Sequence, residues 1–239
     1  MIEPLIRQLS IRDDLTEDDL ALLRSLPVQS RPIGRGREMV AAHSWPGESC
    51  LLLEGVAGRE MIRAGGGRQI SALHFAGEFV DVHSIVLKQI DHSVVAMTDC
   101  RVAFIPHKEL SRILTASPHL TRLFWLNTAI DGAIERAWIA CMGRSSALEH
   151  LAHNFCEIFL RLRVIGLAEG QRFGFKLTQA ELADCLGLSA VHINRSLQEL
   201  RSRNLLDWDS QEIVIHNWDA LVKLADFNGT YLNLIKLAR

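Results

Sequence analysis

No stretch of this chain is apolar for long enough to cross a bilayer. Its apolar runs, such as Cys50 to Leu53 and Ile213 to Ile215, fall far short of the ~20 residues a spanning helix needs. The N-terminus, Met1-Ile2-Glu3-Pro4, carries early acid and lacks a basic region followed by an apolar stretch, which argues against a secretory signal. A cytoplasmic location with no membrane partner is therefore expected. The five cysteines, Cys50, Cys100, Cys141, Cys156 and Cys185, are scattered, odd in number and without a close pair. That pattern argues against a disulfide framework and against a C-x-x-C metal knuckle, leaving buried apolar thiols as the expectation. Excess positive charge is missing too: the formal net charge is −2, so nothing in the bulk composition announces a polyanion partner. No serine–histidine–acid set, phosphate loop or carboxylate pair stands out, so an enzyme is not expected.

What is present is enough apolar sequence, 48% of 239 residues, for a core in each of two small domains. Between Arg31 and Pro106 short β-like segments are broken by glycine. Ser49 to Gly55 and Val56 to Arg63 are followed by Gly65-Gly66-Gly67 and then Arg68 to Leu73, which reads as a hairpin. His92 to Met97 and Arg101 to Ile105 supply two more strands, and the set predicts an antiparallel roll or barrel.

After Pro118 a long helix is predicted. Leu123, Leu126, Ile130, Ala133, Ala137 and Ala140 recur at alternating steps of three and four, the spacing of a coiled-coil seam. An amphipathic helix packed on its own domain shows a similar stripe. Trp125, Ile134 and Trp138 lie off it, so the helix is apolar on more than one side, and dimerisation through the six-residue stripe is expected. A second helix, Ala147 to Leu162, leads into a C-terminal unit that ends in a strand pair and a helical stretch from Asp219 to Leu237, interrupted near Asn228-Gly229.

Leu177 to Leu200 has the form of a helix-turn-helix. Thr178 followed by Glu181 makes a capping box, Leu182, Ala183 and Leu186 give the first helix an apolar face, Gly187 permits the turn, and Ser189 caps the second helix. Ile193, Leu197 and Leu200 hold that second helix down, leaving Val191, His192, Asn194, Arg195 and Gln198 outward. Arginine can read guanine with two hydrogen bonds, asparagine can read adenine, and valine can touch a thymine methyl. Leu205 to Ile215 reads as a following wing. From Gln171 to His216 the cations are Arg172, Lys176, Arg195, Arg201 and Arg203 against six acids, so phosphate contacts must come from placement rather than net charge.

Glycine-rich β-roll, long helix, then L-T-x-x-x-L-A-x-x-L-G-L-S-x-x-x-I-x-R-x-L-x-x-L and a wing: in this order the chain resembles the CRP/FNR superfamily of bacterial regulators over nearly its whole length. The resemblance implies an α+β chain with three parts: a cyclic-nucleotide-binding-like β-roll sensor at 1–117, a dimerisation helix at 118–143 and a winged helix-turn-helix at 144–239. It implies a homodimeric transcription regulator that reads a palindromic operator in double-stranded DNA, under control of an effector, with RNA polymerase a further candidate partner. Thr178, Gln179, Ser189, Val191, His192, Asn194, Arg195 and Gln198 are the expected DNA-binding residues, and Arg195 matches the recognition arginine. Val191 falls where cyclic-AMP and oxygen regulators commonly carry glutamate, so a different target sequence is implied.

Gly77 to His83 and His92-Ser93 match the stretches that hold cyclic AMP in relatives, yet Val82 and His92 replace the glutamate and arginine that bond its ribose and phosphate. Cyclic AMP is therefore not expected, the effector is left unidentified, and Val82, His83, His92 and Ser93 are the candidate effector residues. The N-terminal cysteine cluster of iron–sulfur members is also missing. An effector-independent regulator, or a cytosolic small-molecule- or haem-binding protein using His83 and His92, are the alternatives. Glu149-His150-x-x-His153-x-x-Cys156-Glu157 has metal-like residue types, but steps of three drift around a helix by ~60° each and split any single site. No metal is expected.

Overall fold

The computed structural model describes residues 2–238. It divides into two units, Met1–Arg63 with Ser71–Asp131 and Leu234–Arg239, and Ala64–Ile70 with Gly132–Asn233. In the first, α1 (Glu3–Ser10) and α2 (Glu17–Arg24) precede β1 (Ser30–Ile33), β2 (Glu38–Val40), β3 (Glu48–Glu54), β4 (Ala57–Ile62) and β5 (Arg68–His74). A 3₁₀ turn at Val82–Ile85, then β6 (Ser93–Ala96), β7 (Cys100–Pro106), α3 (His107–Ala116) and the start of α4 (Pro118–Arg144) complete it. The strands form two antiparallel sheets, ordered β1-β7-β3 and β2-β6-β4-β5.

The unbroken apolar run of β3 follows from burial on both faces, since side chains alternate across a strand. Cys50 and Leu52 join an inter-sheet cluster with Val40, Val94, Ala96 and Val102. Leu51 and Leu53 point the other way, into a cluster with Leu5, Leu9, Leu23, Ile105 and Leu110. Helices α1, α2 and α3 have no counterpart in the expected strand pattern. They are 8 to 10 residues long, too short for propensity alone, and packing on the outer face of β3 and β7 sustains them. Gly77 has φ +92, and a Cβ there would collide with the Pro4 carbonyl, so only glycine lets α1 sit against the turn after β5.

Helix α4 runs 27 residues, and Leu123 at 0% exposure is buried in the first unit's core with Leu120 and Phe124. Further along, Ile130, Ile134, Trp138 and Cys141 are buried at the three- and four-residue spacing of an inward stripe. Of the expected seam, Leu123 and Ile130 are buried within the chain. Leu126, Ala133 and Ala137 are half-buried and Ala140 is exposed. The apolar side chains that α4 leaves outward are Trp125 at 75%, Ile139 at 67% and Met142 at 42% exposure. A three-four spacing fits either face of such a helix.

The second unit continues with α5 (Ala147–Val164), β8 (Ala168–Glu169), β9 (Arg172–Gly174), α6 (Gln179–Leu186) and α7 (Ala190–Ser202). β10 (Leu206–Trp208), β11 (Glu212–Ile215), α8 (Trp218–Leu224) and a 3₁₀ turn at Gly229–Leu232 follow. The expected wing is thus part of a four-stranded sheet, ordered β10-β11-β9-β8. Its core is aromatic: Phe155 and Phe175 lie 5.9 Å apart between ring centroids, Phe175 and Trp208 5.6 Å, and Phe159 and Trp218 5.0 Å. The expected helical stretch to Leu237 breaks a few residues ahead of the interruption expected near Asn228-Gly229, α8 ending at Leu224. Asp226 takes φ +45, and the Asn228 side chain accepts from the Thr230 amide to open the 3₁₀ turn instead.

No helix among the described residues is long and apolar enough to cross a membrane. All five cysteines are free and buried.

Candidate nucleic-acid interface

Helix α6 begins as the capping box requires. Thr178 Oγ1 accepts from the Glu181 amide at 3.1 Å, and Glu181 Oε2 accepts from the Thr178 amide at 2.7 Å. It ends at Gly187, whose φ of +64 is the left-handed cap that turns the chain toward α7. Ser189 then caps α7, its Oγ accepting from the His192 amide at 3.3 Å and lying 3.1 Å from His192 Nδ1. The Thr178 and Ser189 hydroxyls are therefore already engaged in helix starts.

On α7 the faces separate cleanly. Ile193 and Leu200 are fully buried and Leu197 nearly so, while Val191, His192, Asn194, Arg195 and Gln198 are all exposed, Val191 at 76%. The half-buried Gln179, at the start of α6, reaches this face: its Oε1 accepts from Asn194 Nδ2 at 3.4 Å. Three of the unit's cations are neutralised locally, Arg172 by Glu212 at 3.0 Å, Arg201 by Asp207 at 2.8 Å and Arg203 by Glu199 at 2.7 Å. Arg195 makes no hydrogen bond or ion pair among the described residues, so its guanidinium is available. It lines a groove of ≈ 340 Å³ with His192, Ser196, Glu199 and the first turn of α5, Ser146 to Leu148. Ser146 was not among the expected residues, although Ser146 followed by Glu149 is a second capping box written in the sequence.

Cys185, on α6, is fully buried, and burial pushes its thiol up, the reverse of what a reactive thiol needs. On α5, His153 Nε2 lies 3.0 Å from the Tyr231 hydroxyl, and Glu157 accepts from Trp138, Tyr231 and Arg161. These side chains serve the packing of the second unit.

The structure does not bring all four candidate effector residues together. Val82 is half-buried and packs against the apolar cluster around Leu51 and Phe79. The Ser93 hydroxyl accepts from the Ala42 amide at 3.1 Å and donates to Glu38 at 3.4 Å, on the β2 side. His83 and His92 do come together, their ring centroids 5.3 Å apart. Buried His74 and Arg59, unremarked in the sequence, both act on these rings. In the register of β4 on β6, Arg59 stands opposite Val94 and Glu60 opposite Ser93.

Residues 149–224 match the family model of the Crp-like helix-turn-helix domain. Across longer stretches the chain is similar to a probable transcriptional activator of Rhizobium leguminosarum bv. viciae, 25% identical over 195 residues, 81% of this chain and 80% of that one. It is also similar to the fumarate and nitrate reduction regulatory protein of Vibrio cholerae serotype O1, 25% identical over 222 residues, 92% of this chain and 88% of that one. In fold it resembles FixK2 from Bradyrhizobium japonicum, with a TM-score of 0.76 at 20% identity, covering 83% of this chain and 98% of that one.

Proposed function

Because this chain is a DNA-binding transcription regulator of the CRP/FNR type, we propose that it acts as a homodimer on a two-fold symmetric operator, with α7 of each copy in the major groove. The observation that carries this reading is the exposed face of α7: Val191, His192, Asn194, Arg195 and Gln198 stand on a helix whose opposite side is sealed into the core, and Arg195 is unpaired among the described residues. Arg195 then reads a guanine edge, Asn194 and Gln198 supply further base contacts, and the first turns of α5, α6 and α7 lie against the phosphates. Residues 1–117 serve as sensor, 118–143 as dimerisation helix and 144–239 as the reading head. The outward apolar side chains of α4, Trp125, Ile139 and Met142, meet their symmetry mates.

The sensor answers to an effector other than cyclic AMP. With Val82 turned into the apolar cluster and His92 in place of an arginine, neither the ribose nor the cyclic phosphate has its usual partner. The test is a binding-site selection at one fixed salt concentration, because the phosphate contribution depends on salt. A palindrome is expected; wild-type protein that enriches no palindromic sequence would falsify the reading.

A further inference from the structure

A carboxamide carries an acceptor at one end and two donors at the other, so the base edge it reads depends on which end faces outward. A side chain free to turn about its last bond can present either. On α7 the Asn194 carboxamide is not free, because its Nδ2 donates to Gln179 Oε1 at 3.4 Å. The two residues are 15 apart in sequence and meet only through the turn at Gly187.

Gln179 is itself held. It is the first residue of α6, next to Thr178, whose reciprocal bonds with Glu181 at 3.1 Å and 2.7 Å fix the start of that helix. It is also half-buried, where Asn194 is exposed. Among the described residues the Asn194 side chain makes no second hydrogen bond, and Gln179 Nε2 makes none. Each carboxamide therefore has one end engaged and one end open. Gln198, one turn further along the exposed face of α7, has no such holder among the described residues, so its carboxamide turns to suit whichever edge it meets.

The polarity of the Gln179–Asn194 pair follows from what lies beyond it. With the first turn of α6 against the DNA backbone, Gln179 faces phosphate oxygens, which accept hydrogen bonds and cannot donate them. Nε2 is the end that can meet them. Oε1 is then left for Asn194, which must answer with one N–H, so its Oδ1 and its other N–H are turned to the base edges. An acceptor beside a donor is the complement of N6–H and N7 of adenine. Guanine offers acceptors at both N7 and O6, and thymine one at O4, so Oδ1 set against either meets a lone pair. Cytosine offers a donor alone and satisfies only half of the pair.

We infer that Gln179 is a positioning residue for sequence choice: by holding Asn194 with its oxygen outward, it makes α7 prefer adenine at one position of each half-site. The choice of base is thereby coupled to the phosphate contact of α6. This rests on the regulatory reading proposed above and adds to it one base and the side chain that selects it.

The test compares affinity for the selected operator with affinity for operators altered at one base position of both half-sites, at one salt concentration. The proteins are the full chain and its Asn194→Ala, Gln179→Ala, Gln179→Glu and Asn194→Ala/Gln179→Ala variants, each checked for an unchanged melting temperature. The unaltered chain should favour adenine at one position by about tenfold over the other bases. Asn194→Ala should abolish that preference, Gln179→Ala should cut it to about threefold or less at the same position, and the double variant should match Asn194→Ala in selectivity. Gln179→Glu keeps an acceptor for Asn194 but sets a negative charge against phosphate, so it should bind every sequence more weakly and retain the adenine preference. If Gln179→Ala weakens all sequences alike with that preference intact, Gln179 is a backbone contact and the inference is overturned. Loss of the preference in Gln179→Glu, or its survival in Asn194→Ala, overturns it as well. A chain that selects a palindrome with no adenine answering to Asn194 loses this inference alone, whereas one that selects no palindrome loses the regulatory reading and this inference with it.

Discussion

The indole N–H of Trp138 donates to Glu157 Oε2 at 3.0 Å, tying the second half of α4 to α5 through a carboxylate with no exposed surface. Arg161 and Tyr231 bond the same group at 3.2 Å and 2.8 Å. Burial pushes the Glu157 carboxyl up while Arg161, Tyr231 and Trp138 oppose it. Glu157→Leu strands the buried Arg161 charge and should cost about 3–5 kcal/mol, whereas Trp138→Phe, which removes one donor, should cost about 1–2 kcal/mol. Urea unfolding with unchanged slope measures both. Adding Arg161→Met to Glu157→Leu should restore part of the loss, and strict additivity would deny the coupling.

A second network sets the pH response. Burial works to raise the Asp19 carboxyl but is outweighed by hydrogen bonds from Ser117, His119 and Thr16, which hold it at about 2 against an ordinary 3.8. A depressed folded value stabilises the fold above the unfolded value, and that contribution disappears as pH falls from about 4 through about 2, amounting to about 2 kcal/mol. His119 is the opposite case: burial lowers it, but Asp19 at 2.7 Å and Asp13 at 3.2 Å raise it above 6.5 overall. Its contribution is complete below the unfolded value and is lost as pH climbs through the folded one. The melting temperature should be highest between about pH 4 and about pH 6.5 from this pair, and Asp19→Asn should flatten the acid side.

In the proposed dimer, the two faces of α4 should separate folding from association. Ile139→Glu places a charge on an outward position and should convert dimer to monomer in sedimentation, leaving the monomer's secondary structure intact. Ile130→Glu buries a charge within the chain and should lower the melting temperature sharply. Ile139→Glu remaining dimeric at micromolar concentration would remove this face from the interface.

On α7, Arg195→Ala should lower operator affinity by about 1–3 kcal/mol per half-site and relax preference at one base position, with an unchanged melting temperature. Leu197→Ala, two residues on, should do the reverse, lowering stability by about 2–5 kcal/mol. If Arg195→Ala instead unfolds the protein, that arginine is structural.

The helix-turn-helix was readable because its signals are local: a Thr178–Glu181 box, a glycine needing positive φ, and a four-three repeat at Ile193, Leu197 and Leu200 all agree. The burial of Leu123 and Ile130 was not, because a three-four spacing fits a seam and a core equally well until the partners of each are known. Strands β8 and β9, of two and three residues, are too short for any periodicity to register. His83 and His92 could be paired from expected strand register, whereas Arg59 and His74 enter the same cluster only through a tertiary arrangement of β4 and β5 that no short-range pattern encodes.

The two-faced burial of β3 also bears on how the first unit opens and closes. A strand with solvent on one side can slip or fray while its other side stays packed; β3 has no such side, since Cys50 and Leu52 leave one cluster in the same movement that frees Leu51 and Leu53 from the other. The amides that β3 gives to β7 should then exchange with solvent only when both clusters come apart together, which would make β3 a reporter of the global opening of this unit. It would serve as an internal clock against which looser segments, such as the 3₁₀ turn carrying His83, can be timed.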